Sequence, residues 1–433
     1  MQATAQITEW SCRVKEHGTL TNPWLCKIRR SVCVGMLSTL LCSLAACGGS
    51  ADVPALVTLN QQQPAKFAYV TIADVQGQQV PGAVHEYAVG SDGLLTPLST
   101  ASVPTGVGPA AIASDPLGRH VYVVNGGDGT IFQYAVGTDG QLNALSPASV
   151  SIAGAFPGFT RITGVAVDPS GHFVYVTITG GDPAPVTTLA QYSIGSDGTL
   201  APLAAPTQSL AVFGGPLVVH PSGNYAYVAG ITASPDARIS EYSRDAGGVL
   251  TPLVPPTISN TANATGIYVV PSGQAAYVLE VCIDTVCDGQ ISQYRVGPDG
   301  ILSATGNVAV TGSHVNPVAL VTDATGSNAY VLTNLMGVDT NVGAVYQYAI
   351  ASTGALVPDT PASLSVASGA VALAIDGSHL YALSANAVGF ASGSQQGGYV
   401  DHYVIGSGGQ LSAVGATAVS GSLPTAIALV ARH

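Results

Sequence analysis

The sequence predicts an all-β fold, a β-propeller of seven four-stranded blades closed by pairing of its N- and C-terminal strands. Three observations predict it. A tyrosine followed by a small or branched apolar residue recurs at Tyr69, Tyr122, Tyr175, Tyr227, Tyr277, Tyr330 and Tyr381, at spacings of 50 to 53 residues. A second series, Tyr87, Tyr134, Tyr192, Tyr242, Tyr294, Tyr348 and Tyr403, also has seven members, each near the start of a turn. The composition, with 52 Gly and 27 Pro in 433 residues and only 8% charged, suits many short strands joined by tight turns. A repeat of that length, built of four short strands, is the signature of radial blades.

Each unit divides in order. An apolar innermost strand such as Gly164-Val-Ala-Val-Asp168 ends in a turn, Asp168-Pro-Ser-Gly171. The tyrosine strand follows, then a variable loop, then a third strand such as Ile131–Val136. Gly137-Thr-Asp-Gly140 makes the next turn, and an edge strand runs out through Leu142 and Leu145. Asp-Gly recurs there because Asp tolerates a turn backbone and Gly supplies φ > 0. One carboxylate per turn is too few for a calcium site of six to eight oxygens. His220 takes the usual Asp position in one turn, and His172, His379 and His402 read as filler or surface on or beside strands. The ring closes because Leu423–Val430 is an innermost strand with nothing after it, while Phe67–Ala73 is a tyrosine strand with no innermost strand before it. Joined, they complete one blade and remove an exposed sheet edge.

Residues 1–46 read as a leader. Lys27, Arg29 and Arg30 form a positive region, Ser31 to Ser43 an uncharged apolar one, and Leu44-Ala-Ala-Cys47 a cleavage site of small residues. The apolar run is shorter than the roughly 20 residues a membrane span needs. Leu-Ala-Ala-Cys resembles the bacterial lipobox, which implies acylation of Cys47, a lipid anchor in the cell envelope and a flexible tether over 47–65 ahead of a ring spanning 66–433. Glu9, Lys15, Glu16 and His17 precede the positive region, which places true initiation near Leu25.

From Cys47 onward seven basic residues face 22 acidic ones, a net charge near −15. No basic stripe exists, which excludes nucleic acid as a partner. An anionic ligand needs one or two placed arginines instead. Cys282 and Cys287, spaced C-x4-C, read as a disulfide clipping one loop in an oxidising compartment, and no His or further Cys adjoins them as a metal ligand.

Asp168-Pro-Ser-Gly-His-Phe-Val-Tyr-Val176 and Tyr192-Ser-Ile-Gly-Ser-Asp-Gly-Thr-Leu200 resemble the lactonase family of seven-bladed propellers, over roughly residues 66–433. That family includes 6-phosphogluconolactonases and carboxymuconate cyclases, and related Tyr-Val-Thr-Asn repeats occur in surface proteins. The resemblance implies lactone hydrolysis or isomerisation without a cofactor. Its matching motifs build blades, however. The Pro-His and Pro-Arg-His steps of catalytic members are replaced here by Gly108-Pro-Ala, Phe213-Gly-Gly-Pro216-Leu and Asn316-Pro-Val.

Candidate chemistry therefore lies in the loops at the channel mouth. Ring-opening of a lactone needs a base for water and a donor for the oxyanion. Glu280 and His314 are the candidate bases; Arg161, with Asn125, is the candidate binder of a substrate carboxylate and developing oxyanion. Asp128 and Asn316 lie in the same loop set. No metal-ligand cluster, nucleophile elbow or phosphate loop is present. The other reading is a non-catalytic envelope propeller that binds a ligand or protein partner through its loop face.

Overall fold

In the computed structural model the described residues are 67–431, apart from 74–79, 153–159, 181–185, 211, 213, 232–236, 260–262, 282–288, 311–314, 336–342, 368, 386–396 and 421–422. They form seven antiparallel four-stranded sheets with no helix among them. Blade 1 combines β1 (Phe67–Ala73), β2 (Pro81–Val89) and β3 (Leu95–Val107) with the last strand of the chain. Blade 2 is β4 (Pro109–Ser114), β5 (His120–Asn125), β6 (Thr130–Val136) and β7 (Leu142–Ser151). Blade 3 is β8 (Thr160–Val167), β9 (Phe173–Gly180), β10 (Val186–Ile194) and β11 (Leu200–Ser209). Blade 4 is β12 (Leu217–Val219), β13 (Tyr225–Ile231), β14 (Ala237–Arg244) and β15 (Leu250–Ser259). Blade 5 is β16 (Asn263–Val269), β17 (Ala275–Val281), β18 (Gln290–Val296) and β19 (Leu302–Ala309). Blade 6 is β20 (Val315–Thr322), β21 (Asn328–Leu335), β22 (Gly343–Ile350) and β23 (Leu356–Val366). Blade 7 is β24 (Ala370–Asp376), β25 (His379–Ala385), β26 (Gly398–Ile405) and β27 (Leu411–Val419), and β28 (Leu423–Val430) completes blade 1.

Closure is as the sequence predicts. β28 pairs with β1 from Phe67↔Val430 to Ala73↔Leu423. The core sits in the seven seams between blades. Tyr122 and Val124 of blade 2, for example, meet Val174 and Val176 of blade 3, and Tyr330 and Leu332 of blade 6 meet Leu380 and Ala382 of blade 7. Both faces of a blade are thus covered, so every residue of β1, β5 and β25 is buried. Alternation of apolar and polar residues, the mark of a half-exposed strand, has no reason to appear there.

The tyrosine repeat has a cause that lies in the next blade. Each hydroxyl of the first series donates to the carbonyl of a turn glycine one blade on: Tyr69 to Gly140 at 2.6 Å, Tyr122 to Gly198 at 2.8 Å, Tyr175 to Gly248 at 2.6 Å, Tyr227 to Gly300 at 2.7 Å. Tyr277 to Gly354, Tyr330 to Gly409 and Tyr381 to Gly93 complete the circuit at 2.8, 2.7 and 2.9 Å. A buried phenol needs such an acceptor, and a phenylalanine would leave the carbonyl orphaned. The second series reaches the other way. Tyr134, Tyr192 and Tyr403 donate to Pro104, Ser151 and Ser365 on the outer strand of the preceding blade.

A third seam device sits one residue before the second tyrosine. Oε1 of Glu86, Gln133, Gln191, Glu241, Gln293 and Gln347 accepts the amide N–H of Leu142, Leu200, Leu250, Leu302, Leu356 and Leu411 in the next blade. Where the residue is Gln133, Gln191 or Gln347, its amide Nε2 also donates to Pro147, Ala205 or Pro361 of its own outer strand. Glu86 and Glu241 have no proton to give when ionised, and their Oε2 atoms are buried without a partner. Burial raises both carboxyls, Glu86 to about 7, with Asp139 adding to the push and the Leu142 N–H opposing it.

Because the folded value of Glu86 exceeds the unfolded 4.5, the native ring holds the proton more tightly. Its contribution is complete below the unfolded value and is lost as pH rises towards 7. Glu86→Gln is expected to gain about 1–2 kcal/mol at alkaline pH and nothing at acid pH, read from urea midpoints at both. An equal effect at both pH values would contradict this account.

Candidate functional site

The innermost strands begin, and the tyrosine strands end, on one face of the ring; the Asp-Gly turns occupy the other. The mouth face is shaped by β-bulges near the start of the innermost strands. Register shifts leave Ala110, Thr163, Thr265, Val318, Val371 and Thr425 without a cross-strand partner. A bulge re-aims a side chain and often adjoins a site. Here the six positions carry only Ala, Thr or Val. Two of the threonines are used structurally, Thr425 donating to Pro109 at 2.9 Å and Thr163 to Gly215 at 3.2 Å, each in the following blade.

Arg161 is the second residue of β8, opposite Thr179, and is exposed. The sequence places it in a loop at the channel mouth. The strand instead starts at Thr160, because the pairing with β9 extends to Gly180. Asn125, the last residue of β5, is fully buried. Its amide donates to Thr130 Oγ1 at 3.2 Å and its Oδ1 accepts from Thr105 at 3.2 Å. Asp128 accepts from the Val107 N–H at 2.7 Å and from Thr130 Oγ1 at 2.6 Å. Asn125 and Asp128 therefore hold the β5–β6 turn against the end of β3.

Glu280 stands at the end of its tyrosine strand, one residue before Val281. It is fully buried, with Oε2 accepting from Gln290 Nε2 at 2.5 Å and Oε1 from the Ser292 hydroxyl. Asn316 is buried in β20 opposite Asn334, whose amide donates to Ala370 of blade 7 at 2.8 Å. These five residues share one face but belong to four blades, with Arg161 in blade 3 and Glu280 in blade 5 separated by blade 4. His314, Cys282, Cys287 and Cys47 lie outside the described residues.

Three groups escaped the sequence reading. Asp401 of β26 accepts the Ala367 N–H at 2.8 Å, and burial raises its carboxyl. His379 and His402, read as filler or surface, are buried in the seam between blades 7 and 1. Strand position alone does not reveal this, because in a ring both faces of a blade meet a neighbour. His220 does act as a turn residue: the Ser222 N–H donates to its Nδ1 at 3.1 Å, so Nε2 carries the proton and donates to Gly273 of blade 5 at 2.9 Å. No group of three or more His, Cys, Asp or Glu able to hold a metal occurs among the described residues.

Residues 82–253 match the family model described as lactonase, 7-bladed beta-propeller. That match lies within the seven-bladed ring, and solved structures share its fold. A periplasmic gluconolactonase of Pseudomonas aeruginosa is 16% identical, with a TM-score of 0.62 over 84% of this chain and 99% of that one. Putative 6-phosphogluconolactonases of Bacteroides fragilis and Bacteroides uniformis are 16% and 19% identical, with TM-scores of 0.60 and 0.62. They cover 86% and 84% of this chain and 99% and 100% of their own. No curated protein sequence matches the chain.

Proposed function

We propose that this lactonase-like propeller is exported to the cell envelope, anchored there by acylated Cys47, and receives a small lactone or sugar acid at its channel mouth. The observation that carries the reading is Arg161, an exposed guanidinium at the start of an innermost strand in a ring poor in basic residues. A guanidinium there offers paired donors to a carboxylate or a developing oxyanion. Glu280 would act as a base only after giving up an acceptor bond from Gln290 or Ser292, which leaves His314 as the stronger candidate for activating water. Asn316 stands near it in the chain as a ligand-binding candidate, Asn125 is the second such candidate at the end of β5, and Cys282 with Cys287 would clip the loop after β17. The periplasmic location of the Pseudomonas aeruginosa neighbour supports the envelope assignment.

The uncharged bulge positions favour a second reading, a propeller that binds a ligand or envelope partner without chemistry. Titrimetric hydrolysis of glucono-lactone by the mature ring separates the two. Catalysis predicts turnover above the spontaneous rate and a fall in kcat/KM of at least about tenfold in Arg161→Ala, the loss of one charge-assisted contact. Turnover that Arg161→Ala leaves unchanged would remove Arg161 from the site. Absence of turnover, with saturable gluconate binding, would favour the second reading.

A further inference from the structure

Six of the seven seams carry the Glu/Gln-to-leucine bond described above, and the seventh does not. In blade 7 the equivalent position is His402, one residue before Tyr403, and the residue it would serve is Leu95 of blade 1. His402 is 2% exposed, and neither Nδ1 nor Nε2 has a hydrogen-bond partner. Its ring lies flat on Tyr381, with centroids 5.1 Å apart and planes 13° from parallel, and 5.1 Å from the ring of His379. The Gly93 turn of blade 1 covers both imidazoles so closely that a Cβ on Gly93 would fall 2.4 Å from His402 Nε2 and 2.6 Å from the His379 ring.

The charged and titratable groups around His402 come from both blades. Blade 7 supplies His379, Tyr381 and Asp376, whose Oδ1 lies 3.0 Å from His379 Nδ1. Blade 1 supplies Asp92 on the covering turn and Tyr87 in the shared apolar core. The Tyr381 hydroxyl is committed to Gly93 O, and the Asp376 carboxylate to His379. A proton placed on His402 therefore finds no acceptor inside the seam. A buried unpaired charge of this kind is relieved by admitting water, and the lid over it is the Gly93 turn.

We propose that the seam between blades 7 and 1 is an acid-sensitive latch, in which protonation of His402 lifts the Gly93 turn off blade 7 and loosens the ring there before any other seam. Burial, with His379 beside it, lowers the pKa of His402 to about 4, while Asp92 pulls the other way. The folded value lies below the unfolded 6.5, so the latch is intact above 6.5 and weakens as pH falls towards 4. Glu86 and Glu241 carry the opposite sign, so their seams hold as this one weakens.

Hydrogen exchange of the full chain across this range tests the latch. Protection factors of peptides spanning residues 90–98 and 398–405 should fall by up to about tenfold per pH unit, the slope for uptake of one proton. Peptides covering Leu142 and Leu302, whose amides are held by Glu86 and Glu241, should keep their protection. His402→Gln, which installs the residue used in four other blades, should abolish the loss; Glu86→Gln should leave it intact. His379→Asn, which copies Asn328 of blade 6, should move the midpoint upward by removing the neighbour that opposes protonation of His402. Equal loss at all seven seams, persistence of the local loss in His402→Gln, or an unmoved midpoint in His379→Asn would overturn the proposal.

Discussion

Deletion of residues 421–433 is expected to leave a chain that does not fold cooperatively. The excision removes β28 and with it the innermost strand of blade 1. β1, buried along its whole length, would then present an unpaired edge to the channel. Val430, Ile427 and Leu429 leave the cores shared with blades 2 and 7, and the tie from Thr425 to Pro109 is lost. Burying side chains of this size stabilises by about 1.5–3 kcal/mol each. With roughly 1 kcal/mol for each lost backbone hydrogen bond, the total cost rivals the ~5–15 kcal/mol stability of an ordinary domain. The measurement is thermal unfolding by far-UV circular dichroism alongside soluble yield. An unchanged melting temperature would show that β28 does not close the ring.

Gly140→Ala is expected to cost about 3 kcal/mol or more. Gly140 has φ of +84°, where an L side chain costs roughly 1–2 kcal/mol. Its Cβ would also stand 2.2 Å from the Phe67 ring, which is wedged beneath the turn and cannot withdraw. Overpacking adds about 1–3 kcal/mol. Gly214 supplies the comparison, since its φ is +91° but nothing lies within 4 Å of the added carbon. Gly214→Ala should therefore show the backbone cost alone, about 1–2 kcal/mol. Equal urea midpoints for the two variants would mean that the contact between turn and ring contributes nothing.

This comparison also marks what was legible in the sequence. The turn glycines announce a positive φ, after Asp at Gly93, Gly140, Gly198 and Gly300, and their sevenfold recurrence with the two tyrosine series gives blade number, strand order and closure. What the tyrosines and glycines do for each other is not legible, because donor and acceptor lie 71 to 79 residues apart in six of the seven pairs. Nothing in a local window links Tyr330 to Gly409. The burial of His379 and His402 in a seam was not legible either. A residue beside a tyrosine on an isolated strand looks half-exposed, whereas His402 meets the next blade. At the mouth, the place of Arg161 within β8 was not legible, because the pairing with β9 runs past the apolar stretch, and the burial of Glu280 was not, because its partners Gln290 and Ser292 lie on the next strand.

The offset between the repeat and the blade has a consequence for how such a chain grows. The repeating stretch of sequence begins with the tyrosine strand of one blade and ends with the innermost strand of the next, as β1 to β4 do. Tandem copying of that stretch in a gene never adds an isolated blade to the side of a finished ring. It adds three strands to one sheet and the first strand of another, together with the tyrosine that must find a glycine further along. Each copy arrives unfinished and is completed only by its successor.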